Sequence, residues 1–231
     1  MRNFFRIFFR ILWKITKWFF LLSIASVLLF RFVPIPVTPL MLIRGIKQKM
    51  DGKEWKMKKD WTSIEHISSA MPLAAMAAED QNFEEHNGFD YEAIQKAITY
   101  NEKHKGKKIR GASTISQQTA KNVFLIPARG WIRKGFEVYF TFLIEICWSK
   151  NRIMEVYLNI AETGDGIYGV EAAAQEYFHK PAEKLSVRES ALIAAILPNP
   201  RKWSPVKPTV YIQRKSQRIM HFMGNISLKN E

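Results

Sequence analysis

Apolar residues recur at helical spacing along most of this chain, and strict two-residue alternation is scarce. At the N-terminus Arg2, Arg6, Arg10, Lys14 and Lys17 punctuate an aromatic and aliphatic run, after which Trp18 to Phe30 carries no charge. That uncharged stretch falls short of the ~20 residues that span a bilayer. Extended to Ile11–Val33 it reaches the length, if Lys14, Lys17 and Arg31 snorkel. A basic cytoplasmic tail at 1–10 and a membrane anchor at 11–33 are the expectation. A cleaved signal peptide and an interfacial amphipathic helix are the other two readings. Arg31, Arg44, Lys47 and Lys49 follow closely, so charge alone does not set the topology.

Val33-Pro34-Ile35-Pro36-Val37-Thr38-Pro39 reads as extended backbone, because each proline disfavours helix at the residue before it. Residues 34–60 are expected to form a stalk and a basic membrane-proximal segment, and residues 61–231 a folded domain. That domain reads as mainly α. Pro72 is placed to open a helix over Leu73–Asn82. Asp90 caps one running to about Lys103, with Ala93, Ile94, Ala97 and Ile98 inward. A basic loop spans Lys103–Arg110. Ser113 is expected to cap a helix to Val123; further helices are expected over about Gly130–Trp148, Asn151–Ile160 and Val170–Phe178. Ser186-x-x-Glu189 is a capping box before an apolar helix that Pro198 stops, and an amphipathic helix covers Val210–Met223.

Apolar residues make up 47% of the 231, enough for a packed core, and Lys and Arg outnumber Asp and Glu by 35 to 21, for a net charge of +14. Such an excess calls for an anionic partner: nucleic acid, an anionic membrane surface or a phosphorylated substrate. No helix-turn-helix signal and no strand platform with exposed aromatics supports nucleic acid. Cys147 is the single cysteine, which excludes an intramolecular disulfide and a cysteine-based metal cluster.

Candidate chemistry begins at Glu79, which ends an alanine-rich apolar run. Burial there raises a carboxyl pKa and makes the group a better proton acceptor. Thr114, Gln118 and Lys121 are spaced to share one helix face, with Gln117 beside them. Such a stripe is either a solvated face or a set of donors for sugar hydroxyls and a phosphate. Arg133 and Glu137 stand four apart at the start of a nearly apolar helix, with Lys134 adjacent. They form either a surface ion pair or a carboxylate held at a groove. Two glutamates with clustered cations suit sugar transfer from a pyrophosphate donor. One carboxylate takes the proton of the attacking hydroxyl, and the cations stabilise the departing anion.

Five stretches then carry a resemblance. They are Glu79-Asp80-Gln81-Asn82-Phe83 with His86, Gly88 and Asp90; Arg110-Gly111-Ala112-Ser113-Thr114-Ile115-Ser116-Gln117-Gln118 with Lys121-Asn122; Arg133-Lys134 with Glu137; Lys150-Asn151-Arg152 through Glu155 and Asn159 to Gly164 and Tyr168-Gly169; and Glu189-Ser190-Ala191-Leu192 with Leu197-Pro198-Asn199-Pro200. In this order they resemble the monofunctional biosynthetic peptidoglycan glycosyltransferases, relatives of the transglycosylase domain of bifunctional penicillin-binding proteins. Ala112 stands where that family often has glycine, and no polar residue precedes Glu137.

The resemblance implies a lysozyme-like helical fold and polymerisation of lipid II. A polyprenyl-pyrophosphate-linked glycan is the implied donor, the 4-hydroxyl of N-acetylglucosamine the acceptor, and a β-1,4 bond the product. It implies Glu79 as general base and Glu137 as the donor-side carboxylate, acting directly or through a bound cation. Thr114, Gln117, Gln118, Lys121, Arg133 and Lys134 would hold phosphates and sugars. Asp80, Phe83 and His86 would shape the pocket, and Lys150, Asn151, Arg152 and Glu155 would brace the fold and donor side. The loop at Lys103–Arg110 falls where the family has a mobile segment. No cofactor is required; a divalent cation, Mg or Mn, is admitted at the donor pyrophosphate. Implied partners are lipid II, the inner membrane and proteins of division or elongation. A lysozyme-like hydrolase and a non-catalytic membrane-anchored scaffold are the alternatives.

Overall fold

The computed structural model of the chain describes residues 2–104, 111–128 and 130–226, with side chains from residue 5 onward. Residues 105–110 of the expected basic loop lie outside the described residues. The chain divides into two compact units, Met1–Pro34 and Ile35–Glu231.

The first unit is one helix, α1 (Arg2–Phe30). Its segment Phe5–Phe30 is long and apolar enough to cross a membrane. At 1.5 Å per residue those 26 residues reach about 39 Å, beyond the ~30 Å of a hydrocarbon core. The helix begins well before the expected position 11 and stops at Phe30, where residues 31–33 turn. Arg6, Arg10, Lys14 and Lys17 fall within about 80° of arc at 100° per residue, so the cations form one stripe. In the uncharged half, Ser23 and Ser26 return their hydroxyls to the carbonyls of Phe20 (3.0 Å) and Ser23 (2.8 Å). Each polar group is thus satisfied within its own helix.

The second unit opens with residues 35–38, which form no helix or strand and end on an extended Thr38. Pro39–Met50 is a helix, α2. Thr38 takes the N-cap, its hydroxyl accepting from Met41 N, and Pro39 occupies the first turn, where its missing N–H costs nothing. A short sheet follows in the order β1–β3–β2: β1 (Lys58–Lys59) runs parallel to β3 (Ile167–Tyr168), and β2 (Glu162–Gly164) antiparallel to it. Gly169 leaves β3 with φ +82°, and a Cβ there would stand 2.7 Å from the Asn159 carbonyl oxygen, so only glycine fits.

The helices are α3 (Ala70–Glu79), α4 (Tyr91–Lys103), α5 (Ile115–Phe124), α6 (Trp131–Cys147), α7 (Lys150–Ile160), α8 (Val170–Phe178), α9 (Val187–Ile196) and α10 (Val210–Met223). Helix α3 is buried almost all round, and α9 and α10 pack against it; α5 packs against α6 and α7. Alanines along α3 and α9 let these backbones approach closely, so the core there is thin in side chains and rigid. Helix α3 includes Pro72 in its first turn and ends three residues before the expected Asn82. It stops because Asp80 has another task, described next.

Candidate active site

Glu79 is the last residue of α3, half-buried, and its Oε2 accepts a hydrogen bond from the Gln118 side chain at 3.0 Å. Burial pushes its carboxyl above the ordinary value, and Asp80 adds to the rise. The Gln118 hydrogen bond and the ammonium groups of Lys215 and Lys121 pull it back. Lys121 is itself pushed down by burial, while the carboxylates of Glu137 and Glu79 hold it up. Lys121 therefore lies within electrostatic reach of both glutamates.

Glu137 is 3% exposed, and both of its oxygens are occupied: Arg133 donates to Oε2 at 2.9 Å and Lys134 to Oε1 at 2.5 Å. Thr141 donates its hydroxyl to the Glu137 carbonyl at 2.7 Å. Of the two readings of Arg133 and Glu137, the structure shows a buried carboxylate held by two partly exposed cations of its own helix. Each Glu137 oxygen accepts from one cation of its own helix, Arg133 or Lys134. Among the described residues no cluster of three or more His, Cys, Asp or Glu side chains offers a metal ligand set.

Asp80 explains where α3 ends. Its Oδ2 accepts from the Ile115 backbone N at 2.9 Å, so it caps the first turn of α5 across the fold. His86 donates from Nε2 to Asp80 at 2.9 Å, a direction fixed because Nδ1 accepts from Gly88 N at 3.1 Å. Thr114 donates to the Gly88 carbonyl at 2.7 Å. Gly88 has φ +87°, and a Cβ there would stand 2.8 Å from Thr141 Cγ2. The turn after Glu79 is stapled to α5 at each of these points.

Several expected site residues belong to that brace rather than to a pocket. Phe83 is fully buried, its ring edge-on to His86, with the Lys150 ammonium 4.6 Å above it. Lys150 donates to the His86 carbonyl at 2.6 Å and to Glu145 at 3.0 Å. Gln117 is buried and accepts from Thr114 N in a capping box, so it does not join Gln118 and Lys121; Thr114, not Ser113, is the N-cap of α5. Arg152 pairs with Glu155 and lies over Trp61, while Glu155 accepts from Ile64 N at 3.0 Å. This pair ties residues 61–64 to α7. Asn151 is exposed on the first turn of α7.

Two adjoining cavities share the wall Gln118, Lys121 and Pro198. The larger, about 660 Å³, is lined by Glu79, Asp80, Asn82, Asp90, Lys96 and Thr114 among others. The smaller, about 470 Å³, includes Arg44, Tyr157, Glu162, Asn199, Arg201 and Lys202. Lys215, Tyr157, Arg44, Arg201 and Lys202 were not among the expected site residues. Lys215 had a legible signal, since it falls between buried Ile212, Ser216 and Ile219 on the inner face of α10. It donates to the Ala195 carbonyl at 3.1 Å.

The Transglycosylase family model matches residues 47–224. A biosynthetic peptidoglycan transglycosylase of Bdellovibrio bacteriovorus is 53% identical over 203 residues, 88% of this chain and 80% of that protein. Its namesake in Bacteroides thetaiotaomicron is 53% identical over 206 residues, covering 89% and 82%. One from Haemophilus influenzae is 52% identical over 209 residues, covering 90% and 85%. With its matched region containing Glu79, Gln118, Lys121 and Glu137, this chain belongs to the transglycosylase family and is a glycosyltransferase.

Proposed function

We propose that the protein polymerises peptidoglycan glycan chains, with a lipid-pyrophosphate-linked glycan as donor and the 4-hydroxyl of N-acetylglucosamine on lipid II as acceptor. The observation that carries this reading is Lys121, which lines the groove with Glu79 and Gln118 and lies within electrostatic reach of the Arg133–Lys134–Glu137 cluster. The acceptor oxygen attacks C1 of the donor sugar as its proton passes to Glu79. The C1–oxygen bond to pyrophosphate breaks with inversion, and its electron pair leaves with polyprenyl diphosphate. Lys121, Arg133 and Lys134 neutralise that leaving group, and Glu137 acts by holding the two cations of α6 in place. A hydrolase acting on finished glycan would have a neutral leaving group and no use for these cations.

The apolar α1 supports a membrane-anchored enzyme. In the same reading α1 crosses the cytoplasmic (inner) membrane with the basic tail inside and the second unit outside.

Polymerisation of lipid II by the full-length protein tests the proposal. Glu79→Gln is expected to abolish turnover. Glu137→Gln should lower kcat at least about tenfold, the ordinary loss for one charge-stabilising group. A moenomycin-type phosphoglycolipid should compete with donor. Full activity of Glu79→Gln would reject the assignment of the base.

A further inference from the structure

Among the described residues, the two chambers of the groove differ in charge. The chamber at Glu79 combines three carboxylates, Glu79, Asp80 and Asp90, with Lys96 and the shared Lys121. The adjoining chamber combines Arg44, Arg201, Lys202 and Lys121 with one carboxylate, Glu162. Carboxylates accept hydrogen bonds from sugar hydroxyls, so the first chamber suits a neutral sugar. The second does not; its surplus of donors needs an anion.

Two features show that these cations are not spent on the fold. Arg44 reaches Glu162 through a single contact of 3.4 Å, not a two-pronged pair, and both Arg44 Nε and Glu162 Oε1 are buried without a partner. Arg201 meets Asp165 through one contact, also 3.4 Å, with both side chains substantially exposed. Arg44 and Arg201 both bear electrostatically on Glu162, so the three groups form one cluster. Arg44 belongs to α2 and precedes residues 47–224, the span that matches the family.

We infer that the chamber between α2 and the turn at 197–202 is a subsite for a carboxylate borne by the substrate's peptide or sugar substituent, and that Arg44, Arg201 and Lys202 read that charge. This rests on the proposed polymerase reaction, in which phosphate is taken by Lys121 with Arg133 and Lys134. The cations of the second chamber lie on other elements, α2 and the turn after α9. They are left for a second anionic group joined to the same substrate.

The test uses the full-length protein and two lipid-linked disaccharide substrates, one with free carboxylates on its peptide arm and one with those carboxylates amidated. The wild type should show about tenfold lower KM for the free acid, as one charge-assisted contact would give. Arg201→Gln with Lys202→Gln should shrink that advantage to about twofold, with kcat little changed. Arg44→Met paired with Glu162→Gln, which strands no buried charge, should do the same. Equal KM values for the two substrates in the wild type would overturn the inference. So would variants that raise KM equally for both, because the cations would then serve the phosphate common to them. If Arg44→Met/Glu162→Gln fails to fold, the exposed pair Arg201 and Lys202 decides: full retention of the preference there also overturns it. Failure of the wild type to polymerise either substrate, or an active Glu79→Gln, would instead remove the underlying reaction.

Discussion

Glu79 is held where two demands conflict. A base must lose its proton at working pH, yet burial at the end of α3 favours the protonated acid and outweighs the help of Gln118, Lys215 and Lys121. In the proposed reaction the acid limb of kcat/KM should therefore lie above 4.5, the ordinary carboxyl value. The charged groups bearing on Glu79 are Lys121 of α5, Lys215 of α10 and Asp80 at its own helix end. Lys215→Gln keeps a donor for the Ala195 carbonyl but removes the charge, so the acid limb should move to higher pH; Lys215→Arg should leave it in place. A limb unmoved in Lys215→Gln would show that Lys215 only caps α9. The sign for stability is opposite to that of a salt-bridged carboxylate. A raised carboxyl favours folding at low pH, and that advantage is lost as pH rises from the ordinary value through the raised one. Glu79→Gln should thus unfold at a higher temperature at pH 7, by about 2–4 °C if the cost is about 1 kcal/mol, as thermal melts will show.

At the scale of elements, one carboxylate keeps the groove in shape. Asp80 ties the end of α3 to the start of α5 through Ile115 N and orients His86, which in turn receives Gly88 N. Asp80→Ala strands a buried backbone N–H and a histidine donor at once, and is expected to destabilise by about 2–4 kcal/mol in denaturant titration. The loss of activity should follow the loss of folded protein, and low temperature should restore part of it. The helices themselves were legible, since apolar spacing and the signals at Asp90, Ser149, Ser186 and Thr209 mark their starts. The exceptions share one cause. Thr114, Gln117, Asp80 and Thr38 are polar residues whose partners are backbone N–H groups, and a linear pattern does not distinguish such a cap from a ligand contact. Phe83 was grouped with the pocket because motif neighbours are close in sequence. Its ring is buried, edge-on to His86 and under the Lys150 ammonium, and Lys150 donates to the His86 carbonyl. Arg44 fell in a basic segment expected to be membrane-proximal, although Thr38-Pro39 ahead of it is a helix start.

Over the whole molecule, apolar and cationic surfaces meet at the beginning of α6. Trp131 is 92% exposed and Ile132 is 80% exposed, and Ile126 is exposed before them. Arg133 and Lys134 follow directly on the same first turn, already committed to Glu137. A soluble enzyme acting on a free sugar nucleotide has no reason to expose a tryptophan and an isoleucine beside its phosphate-binding cations, because that area favours leaving water. A lipid-linked pyrophosphate supplies the reason: its anionic head and its hydrocarbon tail are joined, so the surface that receives one must tolerate the other. Trp131→Ser with Ile132→Ser should then raise KM for a long-chain lipid substrate in vesicles about threefold to tenfold, the range given by about 0.7–1.4 kcal/mol of lost apolar contact. A short-chain, water-soluble analogue of the same substrate should keep its KM. Equal losses with both substrates would place the defect in the Arg133–Lys134–Glu137 cluster itself. Loss with the long chain alone would identify the first turn of α6 as the place where the lipid leaves the bilayer for the groove.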